Sequence, residues 1–209
     1  MSINLSKGGR INLSKEAPSM KKVTIGLGWM PNTYATGEKF DLDASMFICA
    51  NDANGDAKLV SDSHFVFYGN PSEPEGATKH TGDSRDGANN VDFGLDSTGK
   101  KIEVDEMIHI DLSKMTAAAD ELSFIVTIHD APARKQNFGQ IPKSVTPIRN
   151  DDTGEVLAKY DLEDDFSTET AVQFGSLYRK DGAWMFKAVG QGHNRGLADF
   201  VVAYGGNLA

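Results

Sequence analysis

The sequence predicts an all-β fold: an antiparallel β-sandwich with long acidic loops and a short C-terminal helix. Three observations lead there. Apolar residues recur at every second position in many short runs, 21 of the 209 residues are Gly, and the strand–helix–strand spacing of a parallel sheet is missing from the pattern. A chain of this length buries most of its apolar surface as one unit, with no need of disulfides or a structural metal. No Pro-rich or Ser-rich linker divides it, so residues 1–209 are expected to form a single domain.

The elements follow in order. Ile3-Asn4-Leu5-Ser6-Lys7 and Ile11-Asn12-Leu13-Ser14-Lys15 are identical pentapeptides around Gly8-Gly9-Arg10, and two residues that tolerate positive φ predict a tight local hairpin between them. Val23, Ile25, Leu27 and Trp29 alternate, as do Leu42, Ala44, Met46 and Ile48. Phe65 to Tyr68 and Ile108 to Leu112 are short strands. Leu122, Phe124, Val126 and Ile128 share one face, as do Val156, Ala158, Tyr160 and Leu162. Lys180-Asp181-Gly182 joins two further strands by a hairpin. Leu197, Phe200, Val201 and Tyr204 fall at i, i+3, i+4, i+7, which predicts the C-terminal helix ending at Gly205-Gly206. Asn70 to Val104 reads as one irregular connection, and loops of that length are functional or disordered.

Lys and Arg number 21 against 30 Asp and Glu, for a net charge of −9. Such a balance repels phosphate backbones and anionic lipid, disfavours nucleic acid as a partner and suits the binding of cations. The lone Cys49 lies in the apolar run Phe47-Ile48-Cys49-Ala50 and reads as a buried structural thiol of a reducing compartment. MSINLSKGGR carries no apolar core of signal-peptide length, and no run approaches a membrane span. A soluble, cytoplasmic protein without direct membrane insertion is expected.

The acidic residues are the chemical signal. Asp41 and Asp43 open a strand whose even positions face the core, so both project to its other side. His80-Thr81-Gly82-Asp83 begins a Gly-punctuated acidic loop, Asp105-Glu106 opens the next strand, and Asp130 continues the phase of Leu122 to Ile128 to a strand end at the sandwich rim. Carboxylates from several strand ends, with loop carbonyls, are the hard oxygen donors of calcium. Asp41, Asp43, Asp83, Asp105, Glu106 and Asp130 are therefore the candidate ligands. Adjacent Asp105 and Glu106 point oppositely in a regular strand, so both can serve only ahead of its start. Other motifs carry less. Gly26-Leu27-Gly28 has no third Gly at dinucleotide spacing, Asp52-Ala53-Asn54-Gly55-Asp56 breaks the EF-hand pattern at Ala57 and Ser63 and reads as a turn, and the five His show no zinc spacing. Asp161 to Asp165 reads as a solvated acidic turn.

The sequence resembles the tellurium-resistance TerD family along almost its whole length. The resemblance is carried by Leu5-Ser6-Lys7-Gly8-Gly9, Gly26-Leu27-Gly28-Trp29, Phe40-Asp41-Leu42-Asp43-Ala44-Ser45, His80-Thr81-Gly82-Asp83, Val126-Thr127-Ile128-His129-Asp130-Ala131 and Arg134-Lys135-Gln136-Asn137-Phe138-Gly139-Gln140, with Ala188-Val189-Gly190-Gln191-Gly192 near the end. It implies a β-sandwich that binds Ca2+ through acidic loops and serves in operons for resistance to tellurite and other stresses. It also implies partners among other stress-operon proteins, including a membrane-associated complex. A non-catalytic protein presenting a calcium-ordered surface is the expectation; a metal-dependent phosphoesterase using the same carboxylates is the alternative. Two departures stand out. Met30 replaces the Asp usual after Gly-Trp, a natural ligand beside Asp41 and Asp43, and the stretch from Ala88 to Val104 reads as inserted. Both predict one strong calcium site and any second one weak.

Overall fold

The computed structural model describes residues 2–31, 39–162 and 166–208. Among them the chain forms fifteen strands. The first seven are β1 (Ile3–Leu5), β2 (Arg10–Asn12), β3 (Lys22–Trp29), β4 (Leu42–Asn51), β5 (Ala57–Leu59), β6 (Phe65–Val66) and β7 (Thr78–His80). The rest are β8 (Val91–Leu95), β9 (Lys101–Val104), β10 (Glu106–Asp111), β11 (Glu121–Ile128), β12 (Ser144–Asn150), β13 (Glu155–Asp161), β14 (Ala171–Lys180) and β15 (Ala183–His193). Three short helices accompany them, α1 (Leu13–Glu16), α2 (Ala131–Arg134) and α3 (Leu197–Ala203).

Two sheets make the sandwich. One runs β1-β13-β12-β3-β10-β7, the other β2-β15-β14-β11-β4-β5 with β6 also on β4. The strands pair antiparallel except β1, which lies parallel to β13. Alternation places Leu42, Met46 and Ile48 of β4 and Leu122, Phe124 and Val126 of β11 inward against Val23, Ile25 and Ile108 of the facing sheet, in one continuous core. The other face of β4 is apolar too: Phe47 and Cys49 join Ile125 and Ala171 under Phe200 and Val201 of α3. Burial raises the Cys49 thiol far above its usual pKa, which leaves it a packing group and not a nucleophile. The turn at Asp181-Gly182 has both residues at positive φ, 50° and 76°, as a two-residue hairpin requires.

Two expectations are overturned. The N-terminal pentapeptides do not pair as a hairpin: β1 joins β13 in one sheet and β2 joins β15 in the other. Leu13-Ser14-Lys15, the end of the second copy, is helical under the cap of Asn12, whose Oδ1 accepts the Lys15 amide at 2.9 Å. The glycines turn the chain from one sheet to the other, and Gly8 and Gly9 bond to Ala188 of β15. The second correction concerns Asn70 to Val104, which is not one irregular loop. It holds β7 and the β8–β9 hairpin, and Phe93, Ile102 and Val104 pack with Val145 and Val156 as a separate apolar cluster. A run with few apolar residues hid it, because three of them suffice once the sheet supplies the rest. Of the acidic stretch Asp161 to Asp165, Asp161 ends β13, and residues 163–165 lie outside the described residues.

The hairpin explains Gly26-Leu27-Gly28. A Cβ on Gly28 would stand 2.3 Å from the Glu103 carbonyl oxygen, and one on Gly26 would stand 2.8 Å from the Val104 side chain. Glycine at both positions lets β9 and Phe93 lie directly on β3. Gly28→Ala should therefore push the hairpin off, at a cost of about 1–3 kcal/mol. Hydrogen exchange should quicken across residues 91–104 while β11 and β14 stay protected; uniform quickening would show the hairpin to be one cooperative unit with the sandwich.

Candidate metal centre

Asp41 stands just ahead of β4 and Asp43 is its second residue, on the face opposite Leu42 and Ala44. Asp83 comes from the loop after β7. The three carboxylates meet: one oxygen from each lies within 4.8 Å of the others. Asp41 and Asp43 are buried, at 6% and 5% exposure, while Asp83 sits at the mouth. Two arginines and a histidine flank the group. Arg134 Nη2 is 3.5 Å from Asp41 Oδ2, Arg85 Nε donates to Asp83 Oδ2 at 3.0 Å, and His129 Nδ1 is 3.9 Å from Asp43 Oδ2. Asp41 Oδ1, by contrast, is buried with no hydrogen-bond donor among the described residues. A buried carboxylate oxygen without a partner costs free energy unless something positive reaches it. Burial is the main reason that the Asp43 pKa rises to about 7, with the Asp41 charge beside it adding to the shift, and burial likewise raises Asp41.

Glu106 plays a different part from the one expected. It is fully buried, and its two oxygens accept backbone amides, Oε2 from Ala44 at 2.8 Å and Oε1 from Ser84 at 3.0 Å. Those residues directly follow Asp43 and Asp83. One side chain thus fixes both the strand and the loop that carry the cluster, which makes Glu106 a positioning residue. Burial, more than it is offset by the two amides, lifts its pKa to about 8, with Asp43 and Asp83 adding repulsion. His80 completes the frame. Its Nδ1 accepts the Gly82 amide at 3.0 Å, so Nε2 carries the hydrogen and donates to the Ala44 carbonyl at 3.1 Å. Burial lowers the His80 pKa and keeps the ring neutral.

The other two candidates lie apart from the group. Asp105 accepts the amides of Trp29 at 3.2 Å, Asn89 at 2.9 Å and Asn90 at 3.2 Å, which ties the foot of the β8–β9 hairpin to β3. Asp105 and Glu106 do point apart, and each is taken up by amides. Asp130 adopts φ 48° ahead of α2, and its side chain is 71% exposed. The left-handed turn breaks the strand phase that placed it with the others. Met30 lines a cavity of about 350 Å³ with Asp105 and Lys143 and is not part of the Asp41–Asp43–Asp83 group. Arg85, Arg134 and Tyr68 were missed as neighbours of the cluster. The Arg134-Lys135 motif held one of them, but nothing in its spacing joins α2 to β4. The Asp52 segment is a β-turn: Asp52 Oδ1 accepts the amides of Asn54 and Asp56 at 2.8 and 3.0 Å.

The TerD domain model matches residues 1–204. The chain belongs to the TerD family. It is 46% identical to the tellurium resistance protein TerD of Serratia marcescens over 209 residues, the whole of both chains. General stress protein 16U of Bacillus subtilis (strain 168) is 42% identical over 205 residues, 98% of each chain. Among solved structures, a homologue of telluride resistance protein (TerD) from Streptomyces coelicolor A3(2) matches with a TM-score of 0.67 at 18% identity, over 87% of this chain and 95% of that one. At that identity it supports the fold.

The raised carboxylates set a pH dependence. Asp43 at about 7 and Glu106 at about 8 lie above the unfolded values of roughly 3.9 and 4.3. Between those limits the folded protein holds more protons than the unfolded one, so stability falls as pH rises through 7 and 8. Asp151, held at about 2, titrates well below this window. In chelator the urea midpoint should drop from pH 6 to pH 8.5, and a bound divalent cation should flatten the slope by replacing the protons. A midpoint that climbs with pH in chelator would contradict this assignment.

Proposed function

We propose that this TerD-family chain is a calcium-binding, non-catalytic stress-response protein that presents a calcium-ordered surface to other proteins of its stress operon, including a membrane-associated complex, in the cytoplasm. The observation that carries the reading is the donorless Asp41 Oδ1, buried within a three-carboxylate group. Asp41, Asp43 and Asp83 would hold the ion, and Glu106 would keep two of them in register. The donor set is all hard oxygen, drawn from a strand and a Gly-containing loop that adjusts to an irregular shell, as calcium accepts and magnesium resists. When bound, calcium supplies charge neutralisation and local order. Relatives are named for tellurium resistance and general stress, and calcium-ordered docking fits such a role without a reaction.

The apolar core is closed by side chains on the opposite face of β4 from Asp43, so the ion should order residues 80–86 and leave the sheets as they are. Calorimetric titration of chelator-treated protein should show saturable calcium binding and much weaker magnesium binding. Calcium at about a hundredfold over its dissociation constant should add about 2.7 kcal/mol of stability. Asp43→Asn should abolish both effects while circular dichroism stays unchanged. A melting temperature indifferent to calcium in the unmodified protein would make the carboxylates purely structural and sink the proposal.

A further inference from the structure

We propose that the groove opening from Asp43 binds a small organic oxyanion of the phosphate-monoester class, and that it does so only while the carboxylate cluster holds its cation. This rests on the calcium reading above and adds a ligand to it. The groove encloses about 460 Å³, the size of a small-molecule site. Asp43, Tyr68, Thr127, His129, Asn194 and Arg195 are among the residues that line it. Tyr68 lines the groove together with Asp43 and so connects it to the cluster.

Charge makes the two binding events depend on each other. Without a cation, the carboxylates of Asp41, Asp43 and Asp83 outnumber the guanidinium groups of Arg85 and Arg134, and the cluster disfavours an anion beside it. A divalent ion adds two positive charges there and reverses that balance. Further along, Arg195 is exposed, and among the described residues no carboxylate lies within 4.0 Å of its guanidinium. Two acids do share the groove. Asp199 is engaged by the Gly196 amide at 3.0 Å, and Asp130 is turned largely to solvent. Coordination leaves room as well. Calcium takes six to eight oxygens, and of the six that the cluster offers, Asp41 Oδ2 and Asp83 Oδ2 already face arginines. Asp43 is the member of the cluster that also lines the groove, so an oxyanion in the groove would reach the ion from that side and replace water on it.

Terbium, a luminescent stand-in for calcium, reads this directly, because lifetimes in H₂O and D₂O count the waters on the bound ion. Phenyl phosphate is the probe. Adding it should remove water from protein-bound terbium, and in calorimetry it should tighten calcium about fivefold or more, since coupling is reciprocal. In chelator, phenyl phosphate should not bind. Arg195→Gln should bind calcium and terbium as before but lose the phosphate effect. Cation binding with unchanged hydration and affinity, or an undiminished effect in Arg195→Gln, would overturn this inference and leave the calcium reading standing. No cation binding at all would bring down both.

Discussion

The buried carboxylate of Glu106 joins the amides of Ala44 and Ser84 and so ties together two distant parts of the chain. Ala44 belongs to a strand of one sheet, Glu106 to a strand of the other, and Ser84 to a loop. Burying this group costs free energy, as its raised pKa shows. What the chain gains is register. A slip of one residue in β4 would send Asp43 into the core and break the Ala44 bond together. Asp43 and Asp83 therefore meet because their successors are held, and His80 strengthens the arrangement by bonding the same Ala44 from its carbonyl side.

Period-two alternation made the strands legible, and it made Asp41 and Asp43 legible as a pair on one face. It carried no information about partners. The N-terminal repeat shows why: two identical pentapeptides take different structures because Asn12 caps a helix in one, while Asn4 lies in a strand beside β13 in the other. Local pattern was overruled by what each copy met in space. Asp130 failed for a related reason. Its phase was right up to Ile128, but a left-handed residue resets direction, and φ is not written in alternation.

Asp105 and Glu106 mark the finer boundary. Both are acidic, adjacent and buried, and composition offers no way to tell a metal ligand from a carboxylate that gathers amides. The structure separates them by donors: among the described residues three amides reach Asp105 and two reach Glu106, while Asp41 keeps an oxygen that none reaches. A carboxylate satisfied by the backbone holds shape, and one left wanting can hold an ion. That criterion also moves Met30 out of the argument, since the cavity it lines is shared with the satisfied Asp105.

The placement of the cluster outside the main core has a mechanical consequence. Asp41, Asp43 and Asp83 hang from the end of β4 and from one loop, while the packed interior from Val23 to Ile128 closes without them. A cation bound as proposed would therefore spend its energy on local order, in the loop that follows His80 and in the flanking Arg85 and Arg134, and not on completing the fold. Had the carboxylates lain between the sheets, ion loss would unfold the domain and the site would act as a structural staple. Set on the outer face of β4, with a strand on one side and a Gly82-containing loop at φ 111° on the other, an ion bound there as proposed would change surface charge and loop order while the scaffold stays fixed. A response to an ion without loss of the fold requires that separation.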